Sequence, residues 1–453
     1  MSSKVLVKSV SGIRGIVGKG LTPVLAATYA AGFGTMLKKG TVVVGRDSRP
    51  SGEMIAHAVV SGLVATGLKV IYVGVVPTPT VEIAVKELGA AGGICVTASH
   101  NPAPWNALKF FNKRGEFITP KEYEKLDAIV AKGEFAWKPS DKLGKIGSET
   151  DWIDKHISRV LKLKTVNRRK IKKAKLTVVV DAVNGAGSFA LPPLLEQLGV
   201  KVRQINCEGT GNFTHEPEPI AENLGQLSQA VRKHKANLGM ACDPDADRLA
   251  LVDDKGRPIG EELTLTIAVR QVLRKNRGST VINLSTSRAT ADVAESLGSK
   301  VYYSPVGETN VVQAMRQRKA VIGGEGNGGV IYPASHAGRD ALVGAALVLS
   351  CLAEEEMTLS ELVETLPKYY TIKAKAEPPS DFPARLKSFS TKAASLLGKC
   401  KVDRRDGLRF DFEHGWVQIR SSNTEPIFRL IVETDSDQLT RQLSHDVMAH
   451  FKA

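Results

Sequence analysis

Apolar and polar positions change their period repeatedly along the chain, and each change marks a strand giving way to a helix or the reverse. TVVVG at 41–45 is a short continuous apolar run, GEMIAHAVVSGLVATG then spaces its apolar residues as a helix does, and KVIYVG returns to a strand pattern. VEIAVKELGA predicts a further helix and GGICV a buried strand ending at Thr97, which leaves Ser99 and His100 in a loop at the C-terminal edge of a strand, where sites commonly collect. The cycle restarts at LTVVVDAVNGAG and runs through helical FALPPLLEQLG, strand VRQINC and helix AENLGQLSQAVRKH. It reaches LGMACDPDADRLALVDDKG, in which two apolar half-runs flank a dense acidic turn. A third cycle reads helix EELTLTIAVRQVLRK, strand STVINLS, helix TADVAESLG, strand KVYYSPVG and, after a helical connection, strand KAVIGGEGNGGVI. After YYTIKAKAEPPSD come a helix, PARLKSFSTKAASLLG, a strand-rich stretch from GLRFDF to RLIVET and a helical end, QLTRQLSHDVMAHF. The fold class predicted is α/β: three related mixed α/β domains over 1–150, 151–256 and 257–368, and a smaller α+β domain over 369–453.

The length agrees, since 453 residues exceed what one hydrophobic core usually organises. Apolar runs such as AVVSGLVATG and ALVGAALVLS are short or broken by glycine and fit helices packed inside domains. With no long apolar segment in MSSKVLVKSVSGIRG, a soluble chain without membrane partners is expected. Five cysteines, widely spaced and without a CxxC pair, predict reduced thiols and a cytoplasmic location. The net charge of +15 suits nucleic acid, an anionic surface or phosphorylated metabolites alike. Its densest cluster, LKLKTVNRRKIKKAK at 161–175, lacks the aromatic residues of a base-stacking platform, so it is read as a solvated face and no nucleic-acid partner is expected.

Four constellations carry chemistry. In Thr97-Ala98-Ser99-His100-Asn101-Pro102, the Ser99 hydroxyl can carry a phosphoryl group between two sugar oxygens, while His100 orients it and Lys109 exchanges a proton or stabilises phosphate charge. Lysine acts as a neutral base near pH 7 only if its pKa is depressed. Asp243, Asp245 and Asp247 alternate in a strand-to-turn segment and can converge on a hard cation, with Mg²⁺ preferred and Arg248 as a contact to the reacting phosphate. In GGEGNGG at 323–329, Glu325 and Asn327 supply donors and acceptors for sugar hydroxyls. Arg420, Ser422, Asn423 and Thr424, with Arg429 nearby, can cradle a second, non-reacting phosphate, and Arg14 is a further phosphate-facing arginine. The RDSRP turn at 46–50 reads mostly as a structural salt-bridged turn.

Taken in order, these motifs resemble the alpha-D-phosphohexomutase family over nearly the whole chain. The resemblance implies three related α/β domains and a smaller C-terminal domain around a central cleft, with Ser99 as phosphate carrier and Ser99, Asp243, Asp245 and Asp247 as Mg²⁺ ligands. It also implies sugar recognition by the 323–329 loop, Arg14 or Lys109 as general acid/base, and a distal phosphate loop at Arg420, Ser422, Asn423 and Thr424. The reaction implied is reversible transfer between a hexose 1-phosphate and a hexose 6-phosphate through a hexose 1,6-bisphosphate, which also primes unphosphorylated enzyme. Mannose or glucose is the expected sugar and glucosamine the alternative; a phosphatase and a non-enzymatic anion-binding module are the readings from other classes. Two departures stand out: Asn106-Ala107 where many members have Asn-Gly, and Asn327-Gly328-Gly329 where many bacterial members have Ser-Gly-His.

Overall fold

Buried, mostly β-branched runs form the centre of each sheet in a computed structural model that describes residues 5–421 and 427–452. The first sheet has seven strands, ordered Leu6–Ser9, Gly12–Ile16, Trp105–Asn112, Gly92–Val96, Thr41–Arg46, Lys69–Val75 and Ile146–Ser148. Its apolar centre, Val42 to Val44 in register with Gly92 to Ile94, is parallel and almost wholly buried, as strands covered by helices on both faces should be. The strand Trp105–Asn112 was not evident from the pattern of WNALKFFN, whose apolar alternation Lys109 interrupts. It runs antiparallel to Gly92–Val96 and pairs Cys95 with Lys109, so the Ser99 loop is the connection between two neighbouring strands.

The second sheet is ordered Leu249–Val252, Leu238–Cys242, Thr177–Asp181 and Lys201–Ile205, and the two halves that flank the acidic turn pair antiparallel. The third is ordered Val301–Ser304, Thr280–Asn283, Ile322–Glu325 and Gly329–Ile331. Here KAVIGGEGNGGVI differs from the single strand expected: it is two antiparallel strands with the glycine turn between them. The reversal depends on Gly328, whose φ is +83° and where a Cβ would lie 2.3 Å from the Leu249 carbonyl oxygen. The fourth sheet is antiparallel throughout, ordered Tyr370–Ala376, Phe428–Thr434, Gly415–Ser421, Leu408–Phe412 and Lys401–Asp403, and helices Phe382–Leu397 and Asp437–Lys452 pack on it.

The second and third sheets share one hydrophobic cluster that extends from Ile157 to Leu366. Its axis is helix Ala341–Glu355, in which every residue from Ala341 to Ala353 is buried. A helix apolar on all faces requires neighbours on all faces, so this run ties the two domains into one core. Asp340 caps it by accepting hydrogen bonds from the N–H groups of Leu342 and Val343, a cap worth about 0.5–2 kcal/mol. Among the described residues no helix is long and apolar enough to cross a membrane. Within the basic stretch at 161–175, the short helix Arg168–Ala174 is fixed to the shared core by buried Ile171 while Arg168, Arg169, Lys172 and Lys173 face solvent. Because Leu347 is wholly buried in the shared core, Leu347→Ala should lower the unfolding free energy by about 2–5 kcal/mol. Urea unfolding followed by fluorescence and circular dichroism would read this, and a loss below 1 kcal/mol would contradict the shared core.

Candidate active site

Ser99 adopts φ = +49°, a left-handed backbone that an L-residue holds only when its surroundings enforce it. Arg49 supplies that enforcement. Its guanidinium donates to the carbonyl oxygens of Ser99 (2.7 Å), Asn101 (2.6 Å), Pro102 (2.9 Å) and Trp105 (3.0 Å), and to Asp47 Oδ2 at 3.0 Å. Asp47 Oδ2 also accepts from Thr97 Oγ1, which in turn accepts from the Ser99 N–H. The RDSRP turn is therefore the buried clamp of the serine loop. Ser48 Oγ extends it to the second domain by donating to the Asn184 carbonyl at 2.6 Å.

The clamp delivers the Ser99 hydroxyl to Asp243 Oδ2 at 2.7 Å. Asp243, Asp245 and Asp247 are all fully buried, and one carboxylate oxygen of each lies within 4.8 Å of the others. Four of their six oxygens accept hydrogen bonds, the Ser99 contact included. Asp243 Oδ1 accepts from the N–H groups of Asp247 and Arg248, Asp245 Oδ2 from Thr78 Oγ1 and Lys109 Nζ, and Asp247 Oδ2 from Arg339 Nη2 and Lys109 Nζ. By contrast, Asp245 Oδ1 and Asp247 Oδ1 are buried without a hydrogen-bond partner. Buried acceptors are rarely left so. Two orphaned oxygens and a third that meets the serine make a hard, anionic donor set, which fits a divalent metal ion.

Burial, with Asp247 and Asp245 as like-charged neighbours, pushes the Asp243 carboxyl well above the usual carboxylate range. Asp247 goes the other way: burial opposes its charge, but Arg339, Lys109 and Arg248 outweigh that. Lys109, although buried, is raised because Asp245 and Asp247 hold its ammonium at 2.6 and 3.4 Å. Both carboxylates thus favour the ammonium form of Lys109 over the neutral amine that a lysine base requires. His100 Nδ1 stands 3.3 Å from Ser99 Oγ, and burial together with Arg248 and Arg14 keeps its ring well below the usual imidazole range. Arg14 donates to Asn101 Oδ1 at 2.5 Å; burial and Arg248 lower it to about 10. Arg248 stands 3.7 Å from Asp247 Oδ1 and 3.6 Å from Glu218 Oε1.

Across the cluster, Glu325 is 3% exposed and accepts from Asn283 Nδ2, the Gly307 N–H and Arg339 Nη1. Asn327 Oδ1 accepts from the Gly329 N–H and so helps to shape the turn. Arg420 lies on the fourth sheet, opposite Arg429 in register, and donates to Asp406, whose other oxygen accepts from the N–H of Val306, the residue before Gly307. Ser422, Asn423 and Thr424 lie outside the described residues.

Family models described as phosphoglucomutase/phosphomannomutase match the chain as alpha/beta/alpha domains I, II and III over residues 6–137, 154–256 and 260–370, and as the C-terminal domain over 372–450. The chain belongs to this family. It is 37% identical over 440 residues to a "Phosphoglucomutase/phosphomannomutase" of Thermococcus kodakarensis, with 95% of each chain covered. It is 35% identical to a "Probable phosphoglucosamine mutase" of Methanopyrus kandleri, with 96% and 95% covered. A crystal structure of a phosphoglucomutase/phosphomannomutase family protein from Burkholderia thailandensis superposes with a TM-score of 0.86 at 28% identity, covering 98% of this chain and 96% of that one. The protein is accordingly an isomerase of the phosphohexomutase type, built for reversible intramolecular phosphotransfer, with three mixed α/β domains and a C-terminal α+β domain.

Within this phosphohexomutase, the departure at Ala107 is accommodated simply: it is a buried strand residue opposite Arg14 in register. Sequence reading did not single out Thr78, Glu82, Glu308 or Arg339, nor the buried cluster of His156, His336 and Asp340 behind the aspartates. In that cluster both imidazoles meet Asp340 Oδ2, at 2.9 and 3.0 Å, and join elements from different domains. A lone buried glutamate in a helical stretch carries no local signal of its role; only packing brings Glu82 and Glu308 together.

Burial, with Glu82 as a like-charged neighbour, raises Glu308 from 4.5 to about 8. Its folded form therefore binds a proton more tightly than its unfolded form. The stability so contributed is complete below pH 4.5 and is lost as pH rises through about 8. Denaturation midpoints between pH 5 and 8 should fall more steeply in wild type than in Glu308→Gln; equal slopes would contradict the raised pKa.

Proposed function

We propose that the protein interconverts the 1-phosphate and 6-phosphate of mannose or glucose, with Ser99 as the phosphate carrier. The observation that carries this reading is the Ser99 hydroxyl, held by a buried clamp at 2.7 Å from one of three converging aspartates. Phosphoserine at this position would present its oxygens to the metal site, where Mg²⁺ would neutralise charge on the transferring phosphoryl group. Asp243, Asp245 and Asp247 would hold that ion.

In the forward half-reaction the bond between phosphorus and Ser99 Oγ breaks and one forms between phosphorus and a sugar hydroxyl oxygen. The hydroxyl proton leaves to a nearby base. We assign the exchange to His100, which burial with Arg248 and Arg14 favours in its neutral form beside Ser99 and which would pass the proton on to Ser99 Oγ, while Arg14, Lys109 and Arg248 stabilise phosphate charge as cations. The hexose 1,6-bisphosphate then turns end for end, and its other phosphate returns to Ser99. Arg420 with Ser422, Asn423, Thr424 and Arg429 would anchor the idle phosphate, and Glu325 and Asn327 would face the sugar. Exclusion of water during the turn keeps transfer from becoming hydrolysis. Five free thiols accord with a cytoplasmic setting.

Glucosamine phosphate is the second reading, favoured by relatives of comparable identity that carry each description. The test compares bisphosphate-primed wild type and Ser99→Ala with Mg²⁺ and mannose, glucose or glucosamine 1-phosphate, following 6-phosphate products and free phosphate. Rapid isomerisation in wild type, lost by at least about 10³-fold in Ser99→Ala, is expected. A preference for the amino sugar by orders of magnitude would reassign the substrate, and phosphate release without isomerisation would indicate a phosphatase.

A further inference from the structure

Arg339 is the buried cation that spans the metal aspartates and the glycine turn. Its Nη2 donates to Asp247 Oδ2 at 2.7 Å and its Nη1 to Glu325 Oε2 at 2.7 Å, while Nε stands 3.1 Å from Glu308 Oε2. The side chain is only 10% exposed, and the backbone N–H of the same residue donates to Glu308 Oε1 at 3.2 Å. A planar guanidinium presents its N–H edges in a fixed fork to separate carboxylates, whereas a lysine ammonium is one compact point charge. Its place is made by Gly329, where a Cβ would lie 2.3 Å from Arg339 Cδ. A side chain at 329 and the arginine stem as it stands would compete for one volume, so the Gly-Gly ending of the turn and Arg339 belong together.

We propose that Arg339 is a positioning residue that couples the metal site to the sugar-facing turn, by holding Asp247 and Glu325 in fixed register through one guanidinium. Asp247 Oδ2 is occupied by Arg339 and Lys109 while Oδ1 accepts no hydrogen bond and has only Arg248 at 3.7 Å, so Arg339 helps determine which oxygen of this carboxylate is offered to a cation. Glu325 shares the same guanidinium, so a change in its charge or hydrogen bonding redistributes the hold on Asp247. The Asp247 half of the coupling stands on this geometry alone; the sugar half rests on the function proposed above.

The test measures Mn²⁺ affinity of the purified full chain by calorimetry in wild type, Arg339→Lys, Glu325→Gln and the double variant, with kinetics on glucose and mannose 1-phosphates alongside. Removal of residues that orient metal ligands typically weakens affinity by about 10–100-fold, and Arg339→Lys should do so despite keeping the charge. Glu325→Gln, which touches no aspartate of the cluster, should shift Mn²⁺ affinity at least about threefold in wild type and less than twofold in the Arg339→Lys background, the signature of a coupled pair. The ratio of kcat/KM for the two sugars should change in Arg339→Lys beyond any common fall in kcat. Wild-type Mn²⁺ affinity in Arg339→Lys would reduce Arg339 to simple charge compensation and overturn the proposal. If Arg339→Lys does not fold, Glu325→Gln decides alone: unaltered Mn²⁺ affinity overturns the coupling. Altered Mn²⁺ affinity with no turnover of any hexose phosphate would retain the coupling and reject the sugar reading instead.

Discussion

Three aspartates buried within a few ångströms of one another are the constraint to which the rest of this structure answers. Uncompensated, such a cluster would cost several kcal/mol for each charge removed from water. The fold compensates it from three directions: Lys109 comes from the first sheet, Arg248 from the strand end that carries the aspartates, and Arg339 from the loop before the shared-core helix. Each cation is placed by a different domain or segment, so the charge balance exists only in the assembled molecule.

The same logic explains why polar clamps surround the cluster rather than more hydrophobic packing. Arg49 spends its donors on four carbonyl groups of the serine loop and on Asp47, which fixes a left-handed serine that would otherwise relax. Asp340 caps a helix with one oxygen and receives two histidines on the other. Such fully engaged buried groups are rigid, and rigidity is what a phosphoryl carrier needs if its oxygen is to meet a fixed acceptor. Asp245 Oδ1 and Asp247 Oδ1, by contrast, are buried without a hydrogen-bond partner, with Arg248 3.7 Å from the latter.

Much of this was legible in the chain. The apolar runs placed the central strands and the helices between them, because burial on both faces leaves a continuous signature at 41–45, 92–96 and 238–242. Serine at a strand edge and aspartates at alternate positions also stood out, since their chemistry is concentrated in a few consecutive residues. The strand at 105–112 escaped because Lys109 breaks its pattern, and that lysine is there to meet carboxylates 136 and 138 residues away. The hairpin at 322–331 was read as one strand because glycines weaken a propensity without saying which way the backbone turns.

The sequence by itself determined the alternation of elements, an apolar run suited to a helix packed inside a domain, the serine at a strand edge and the acidic triad. Each of these is a local matter of period, composition or adjacency. The tertiary structure alone decided which cation answers which aspartate, which carboxylate oxygens lack a hydrogen-bond donor, and that Glu325 is tied to Asp247 through Arg339. Those outcomes depend on distances between residues far apart in the chain, and burial gives such distances their energetic weight by removing the water that would otherwise screen them.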